Sequence, residues 1–255
     1  MKRTVAVFVM IIMILLLSAV PALAEDAPVG IIGAMESEVS MILDSMENAG
    51  MEEISGMQFW SGTIHGCPAV LVQCGVGKVN AAMAAQTLAV HYGACAIINT
   101  GVAGALDERL NVGDLVISTD AVQHDFDLGS LSLEGANAAS PIKADPEMRQ
   151  KALRAAKKVA AKVQVFEGRI CSGDQFIAGH AKKQSLVERF GGYCCEMEGG
   201  AVAQACQLSG VPFVIIRAIS DKADDSGEVS FSAFADAVAR RSAAIVSDML
   251  ENFHK

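Results

Sequence analysis

The stretch VPFVIIRAISDKAD, Val211–Asp224, runs apolar to Ile219 with Arg217 as its one charge, then ends in Ser220 and Asp221. A short apolar run without alternation is what a strand covered on both faces requires. VGIIGA (Val29–Ala34) and CAIINTGVAGAL (Cys95–Leu106) read the same way, the latter entering a Gly-rich turn. VGDLVISTDAV and VQVFEGRICSG read as further strands. MQFWSGTIHG and PAVLVQCGVGK read as a hairpin about His65-Gly66. Between the strands lie helical patterns. MESEVSMILDSME puts Val39, Ile42, Leu43 and Met46 on one face, and VNAAMAAQTLAVHYG ends at Gly93. PEMRQKALRAAKKVAAKV, HAKKQSLVERFG and GGAVAQACQLSG follow, and FSAFADAVARRSAAIVSDMLENF closes the chain with Ser230 or Ser232 as N-cap. Strands alternating with helices predict a single α/β domain with a mixed or mostly parallel central sheet flanked by helices.

The first residues stand apart from that pattern. Lys2 and Arg3 precede an apolar run from Val5 to Leu17, and Ala22-Leu23-Ala24 is a small-x-small cleavage site. This is signal-peptide anatomy, too short for the ~20 residues of a spanning helix. The expectation is a signal over residues 1–24, a catalytic domain over 25–255, and an exported protein with no stable membrane span after cleavage. An uncleaved anchor is the alternative. The formal charge of -9, with no basic stripe, argues against a nucleic-acid partner. Seven cysteines, an odd number without C-x-x-C spacing, read as small buried hydrophobes, with one or two bridges left open. The five histidines are scattered, so no metal site is expected.

Ligands of such folds gather beyond the carboxyl ends of the strands. The segments found there are GAMESE, GVGK, TGVAG, SGDQFI, EMEGG and SDKAD. None is a P-loop or a G-x-G-x-x-G, and the spacing before Lys78 is not that of a Walker lysine. Several carry acids instead. Asp221 ends a buried strand, where desolvation raises a carboxyl pKa. Glu38 lies one turn into a helix. Glu198 starts another helix, where the dipole favours its ionised form. Three acids in three environments suit glycosidic cleavage, whose oxocarbenium-like transition state is cationic and whose leaving group needs a proton. Each also has a bland reading: a loop cap for Asp221, a solvated helix acid for Glu38, a buried structural partner of Glu196 or Glu198 for Arg217.

Taken in order, IGAMESEV, GVGKVNAA, INTGVAGAL, VGDLVIS, SGDQFI, EMEGGAVAQAC and VPFVIIRAISDKAD resemble the 5′-methylthioadenosine/S-adenosylhomocysteine nucleosidase family, within the nucleoside phosphorylase superfamily. The resemblance covers nearly all of the chain from Val29. It implies a nucleoside phosphorylase-like fold, hydrolysis of adenine nucleosides to release adenine, no cofactor, and a homodimer with active sites near its interface. It implies that Asp221 is the general acid at purine N7, oriented by Ser220, and that Glu38 activates water. Glu198 would hold the ribose hydroxyls, with Met197 against the sugar and Arg217 orienting Glu198. Phe176 would stack on adenine, and the Ile177 backbone would read its edge. Met35 and Val76 would line the sugar and its 5′ substituent, and Ala103 and Gly104 would form a backbone turn near base and sugar. For Glu196 the preferred reading is an ion pair behind the site.

The sequence departs from the family in two places. SLSLEGANAASP follows HDFDLGSL where relatives carry an aromatic, Pro-containing loop, and Val102 stands where a Ser is common. Two rival functions make different demands on these residues. A phosphorylase needs cations around phosphate, and Glu36 and Glu38 occupy that rim instead. A non-catalytic nucleoside-binding protein has no need of the three acids, and all three are present.

Overall fold

The computed structural model describes residues 27–127, 140–160 and 163–253. In chain order the elements are β1 (Val29–Gly33), α1 (Glu36–Asp44), β2 (Glu47–Ile54), β3 (Met57–Ile64), β4 (Cys67–Gln73), α2 (Lys78–Val90), β5 (Ala96–Ala105) and β6 (Leu115–Gln123). They continue with β7 (Ile142–Lys143), α3 (Pro146–Val159), β8 (Val165–Ser172), α4 (His180–Phe190), β9 (Cys194–Glu196), α5 (Gly199–Ser209), β10 (Phe213–Asp221) and α6 (Gly227–Glu251). The ten strands form one mixed sheet, as the alternating pattern predicts.

The sheet has two parts. β5, β10, β6, β8 and β9 close a ring, because β5 pairs with β10 along its length and with β9 at its far end. β1 and β4 extend from the near end of β5 as parallel neighbours, followed by antiparallel β3 and β2. Alternate strand residues feed two cores, as the period-2 side-chain alternation demands. Val29, Ile31, Leu71, Ile98 and Ile216 pack with α1, α3 and α6. Ile32, Val72, Ile97 and Ile215 pack with α2 and α5, whose small residues Ala81, Ala84, Ala201 and Ala203 let the helices sit close.

The structure corrects the sequence reading in three places. α1 stops at Asp44 and β2 follows, an edge strand exposed over nearly its whole length and therefore without apolar periodicity. β5 stays extended to Ala105, so Ala103 and Gly104 lie in a strand and not in a turn. α6 begins at Gly227 behind Ser226, earlier than the Ser230 or Ser232 cap. All seven cysteines are free and six of them are buried, in line with the reading as small buried hydrophobes; neither Cys194 nor Cys195 forms the bridge left open. The expected hairpin is present, with His65 and Gly66 both at positive φ as a tight two-residue turn needs. The proposed signal lies outside the described residues, as does most of the SLSLEGANAASP segment. No helix among the described residues is long and apolar enough to cross a membrane.

Candidate active site

A cavity of about 270 Å³ opens at the carboxyl ends of β1, β5 and β10. Met35, Glu38, Val76, Ala103, Gly104, Phe176, Ile177, Met197, Glu198, Ser220 and Asp221 all line it. Arg217 does not; it lies fully buried behind the wall. The cavity also takes in Ala34, Val102, Gln175, Cys195, Glu196 and Phe231, which the sequence reading did not place there.

Asp221 reaches the cavity through an irregularity in β10. The pairing with β5 slips between Ile219 and Asp221, opposite Ala103 and Gly104. In an unbroken strand Ser220 and Asp221 would point to opposite faces. The bulge lets both line one wall. Ser220 Oγ lies 2.8 Å from Asp221 Oδ2 and 3.3 Å from the Ala103 carbonyl oxygen. The Ala223 N–H donates to Asp221 Oδ1 at 2.8 Å. Burial nevertheless pushes the Asp221 pKa up, and these hydrogen bonds only partly offset it. Gly104 is required beside it, because a Cβ there would press on Asp221 Oδ1 at 2.8 Å.

Glu38 occupies the third position of α1 and folds back over its own helix start. Its Oε2 accepts from the Ala34 and Met35 N–H groups at 2.7 and 2.9 Å, and its Oε1 from the Val102 N–H at 3.1 Å. Burial outweighs the Arg217 charge and these three donors, so the pKa is raised. A carboxylate of raised pKa is a stronger base toward water. Gly101 keeps space open between Glu38 and Arg217; a Cβ built there would collide with both groups.

Glu196 and Glu198 divide the work differently from the dipole-based expectation. Glu196 takes the start of α5, accepting from the N–H groups of Glu198 and Gly199. It also binds Ser172 Oγ and the Arg217 guanidinium. Glu198 has only the Gly77 N–H at 3.0 Å and a longer contact with Arg217 at 3.6 Å. Burial first, and the Glu196 charge second, push its pKa up to about 7. Arg217 also donates to Asn99 Oδ1 at 2.6 Å, and Asn99 donates in turn to the Ile32 carbonyl. Arg217 thus serves Glu196 more closely than Glu198.

The remaining wall is apolar. Phe176 stands 40 % exposed at the mouth, edge-on to Phe231 with ring centroids 5.5 Å apart. An apolar slot with carboxylates on one wall fits a flat heterocycle joined to a polyol that becomes cationic during reaction. No group of three or more metal-ligating side chains with a metal site's geometry occurs among the described residues.

The chain is similar to known proteins over most of its length. Residues 28–251 match the phosphorylase superfamily. A 5′-methylthioadenosine/S-adenosylhomocysteine nucleosidase of Shewanella halifaxensis is 39 % identical over 228 residues, spanning 88 % of this chain and 98 % of that protein. The nucleosidase of Neisseria meningitidis, solved in complex with methylthio-immucillin-A, superposes with a TM-score of 0.85 at 34 % identity, covering 88 % of this chain and 99 % of that one. The futalosine hydrolase of Helicobacter pylori superposes with a TM-score of 0.82 at 31 % identity, covering 88 % and 97 %.

Proposed function

Because the chain belongs to the phosphorylase superfamily, in its 5′-methylthioadenosine/S-adenosylhomocysteine nucleosidase branch, we propose that it hydrolyses the N-glycosidic bond of adenine nucleosides and releases adenine. Its substrates are 5′-methylthioadenosine, S-adenosylhomocysteine and 5′-deoxyadenosine. The observation that carries this reading is the convergence of Glu38, Glu198 and Asp221 on one cavity with an aromatic, apolar wall.

The roles follow from the environments. Asp221, whose carboxyl burial makes readier to carry a proton, gives one to N7 of the purine as the C1′–N9 bond lengthens. Glu198 accepts hydrogen bonds from the ribose hydroxyls and opposes the positive charge growing on the sugar. Glu38 takes a proton from the water that attacks C1′. Phe176 and Ile177 hold the base, Met197 packs on the sugar, and Met35 and Val76 bound the 5′ substituent. Arg217, fixed by Glu196, keeps Glu198 in place.

Water rather than phosphate as nucleophile is supported by the charge of the wall. Four carboxyl side chains line the cavity, the proton donor Asp221 and three glutamates, with no Lys, Arg or His among the lining residues. Phosphate carries close to two negative charges and is repelled there. Adenine release from 5′-methylthioadenosine, followed by chromatography, is expected at the same rate with and without added phosphate. Strict phosphate dependence with a pentose phosphate product would overturn the hydrolytic reading. Binding without adenine release by folded protein would overturn catalysis.

We further propose that the protein is an exported homodimer. Export is supported by the Lys2-Arg3 start, the apolar run and Ala22-Leu23-Ala24. Pairing is supported by exposed Val79 and Met83 on α2 and Leu208 on α5, which rim one open groove beside the cavity. Cell fractionation and sedimentation test these two points; cytosolic retention or a monomer at micromolar concentration refutes the one or the other.

A further inference from the structure

Lys78, which the chemistry above leaves unused, sits at the centre of a polar network beside the cavity. Its Nζ donates to Asp125 Oδ1 at 2.5 Å and to Gln123 Oε1 at 3.1 Å. Its backbone N–H donates to Asp174 Oδ1 at 2.8 Å. The Asp174 N–H donates to the second oxygen of Asp125, also at 2.8 Å. The circuit is closed: side chain and backbone of Lys78 both lead to the Asp125–Asp174 pair. Gln123 carries it onward to Gln204 of α5 at 2.6 Å.

Both ends of this circuit lie one or two residues from groups that hold the nucleoside. Gly77, directly before Lys78, gives Glu198 its one backbone hydrogen bond. Its φ of +106° favours glycine, so the peptide is held there by what flanks it. Asp174 lies two residues before Phe176 on the loop that also carries Ile177. The loop is exposed from Asp174 to Phe176, with the Phe176 edge on Phe231 and Ile177 buried beyond it. Burial alone would raise the Asp125 pKa, but the Lys78 ammonium and the Asp174 N–H outweigh it and the carboxyl lies below its usual value. Asp125 is therefore ionised at neutral pH, and its two oxygens hold the circuit closed.

We propose that Lys78, clamped by Asp125, is a positioning residue that fixes the sugar-side Gly77 amide and the base-side Asp174–Ile177 loop relative to each other. Opening the clamp separates two walls of the cavity without removing any group that touches the nucleoside. The cost falls on binding first. The Gly77 N–H also retreats from Glu198, which is faced by Glu196, Arg217, Glu38 and Cys74. Of these only Arg217 favours its ionised form, so losing the amide makes Glu198 harder to ionise.

This inference rests on the nucleosidase reading, and the test separates the two. Wild-type protein is first assayed with 5′-methylthioadenosine; absence of adenine there refutes the nucleosidase reading itself. Given wild-type turnover, K78M and D125N are compared with wild type for kcat, KM, the acid limb of kcat/KM, and amide hydrogen exchange at Gly77 and 174–177. The expected result is a KM raised about tenfold with a smaller fall in kcat, an acid limb moved to higher pH, and faster exchange at both segments. The double variant should cost no more than the worse single one, since both break one circuit. If K78M does not fold, D125N carries the test, because it leaves Lys78 its bond to Gln123. Wild-type KM, acid limb and exchange in folded D125N overturn the proposal, and so do additive losses in the double variant.

Discussion

Asp221→Asn is expected to lower kcat by roughly 10²–10⁴-fold, the range set by losing a positioned general acid. The substitution keeps the shape. Asn Oδ1 still accepts from the Ala223 N–H, and the amide nitrogen donates to Ser220 Oγ, which accepts as readily as it donates. What disappears is a transferable proton, which burial makes Asp221 readier to hold. The sign with pH follows. The donor form is lost as pH rises through the raised pKa, so wild-type kcat/KM falls on the alkaline side, and the Asn variant lacks that limb. A nucleoside whose base departs without protonation should lose far less, because it never drew on the acid. Steady-state rates on both kinds of substrate across pH check this. Near-normal turnover of 5′-methylthioadenosine by the variant would remove Asp221 from the role.

Asp221 and Glu38 were legible because Asp221 ends a largely apolar strand and Glu38 lies in the first turn of the helix that follows another, and in a sheet covered on both faces such positions collect at one rim. The harder features depend on pairings distant in sequence. The bulge that brings Ser220 and Asp221 to one wall arises where β10 meets β5, and Ser220 and Ala103 are 117 positions apart. Closure of the ring rests on the three-residue strand β9, too short to stand out from the EMEGG segment it enters. Phe231 reads as one apolar residue of a long amphipathic helix. Only the start of α6 at Gly227 sets it at the cavity mouth against Phe176. The dipole-based expectation for Glu198 is not met, for a local reason: Glu196 has taken the N–H groups at the start of α5, so the dipole serves Glu196 and burial governs Glu198.

Glu38→Gln should lower kcat by a comparable roughly 10²–10⁴-fold, but with a different signature. Glu38 acts on the attacking water, so KM for the nucleoside should change little while kcat falls. The cost to the fold is also distinct from that at Asp221. All three partners of the carboxylate are backbone donors: Ala34, Met35 and Val102. A glutamine can turn its oxygen to Ala34 and Met35 only by facing its NH₂ toward the Val102 N–H, where two donors meet. One lost hydrogen bond to a buried group costs about 1–3 kcal/mol, and relief of the buried charge offsets part of it. The pH profile separates this base from Glu198. In the wild type both carboxyls must be ionised, so kcat/KM falls as pH drops through their raised values, with two protons taken up. In the glutamine variant the residual rate should follow one ionisation, that of Glu198, moved below its wild-type value because the Glu38 charge that helps to raise it is gone. A two-proton acid limb that persists in Glu38→Gln, or a kcat within a few fold of wild type, would place the water's base elsewhere on the cavity wall.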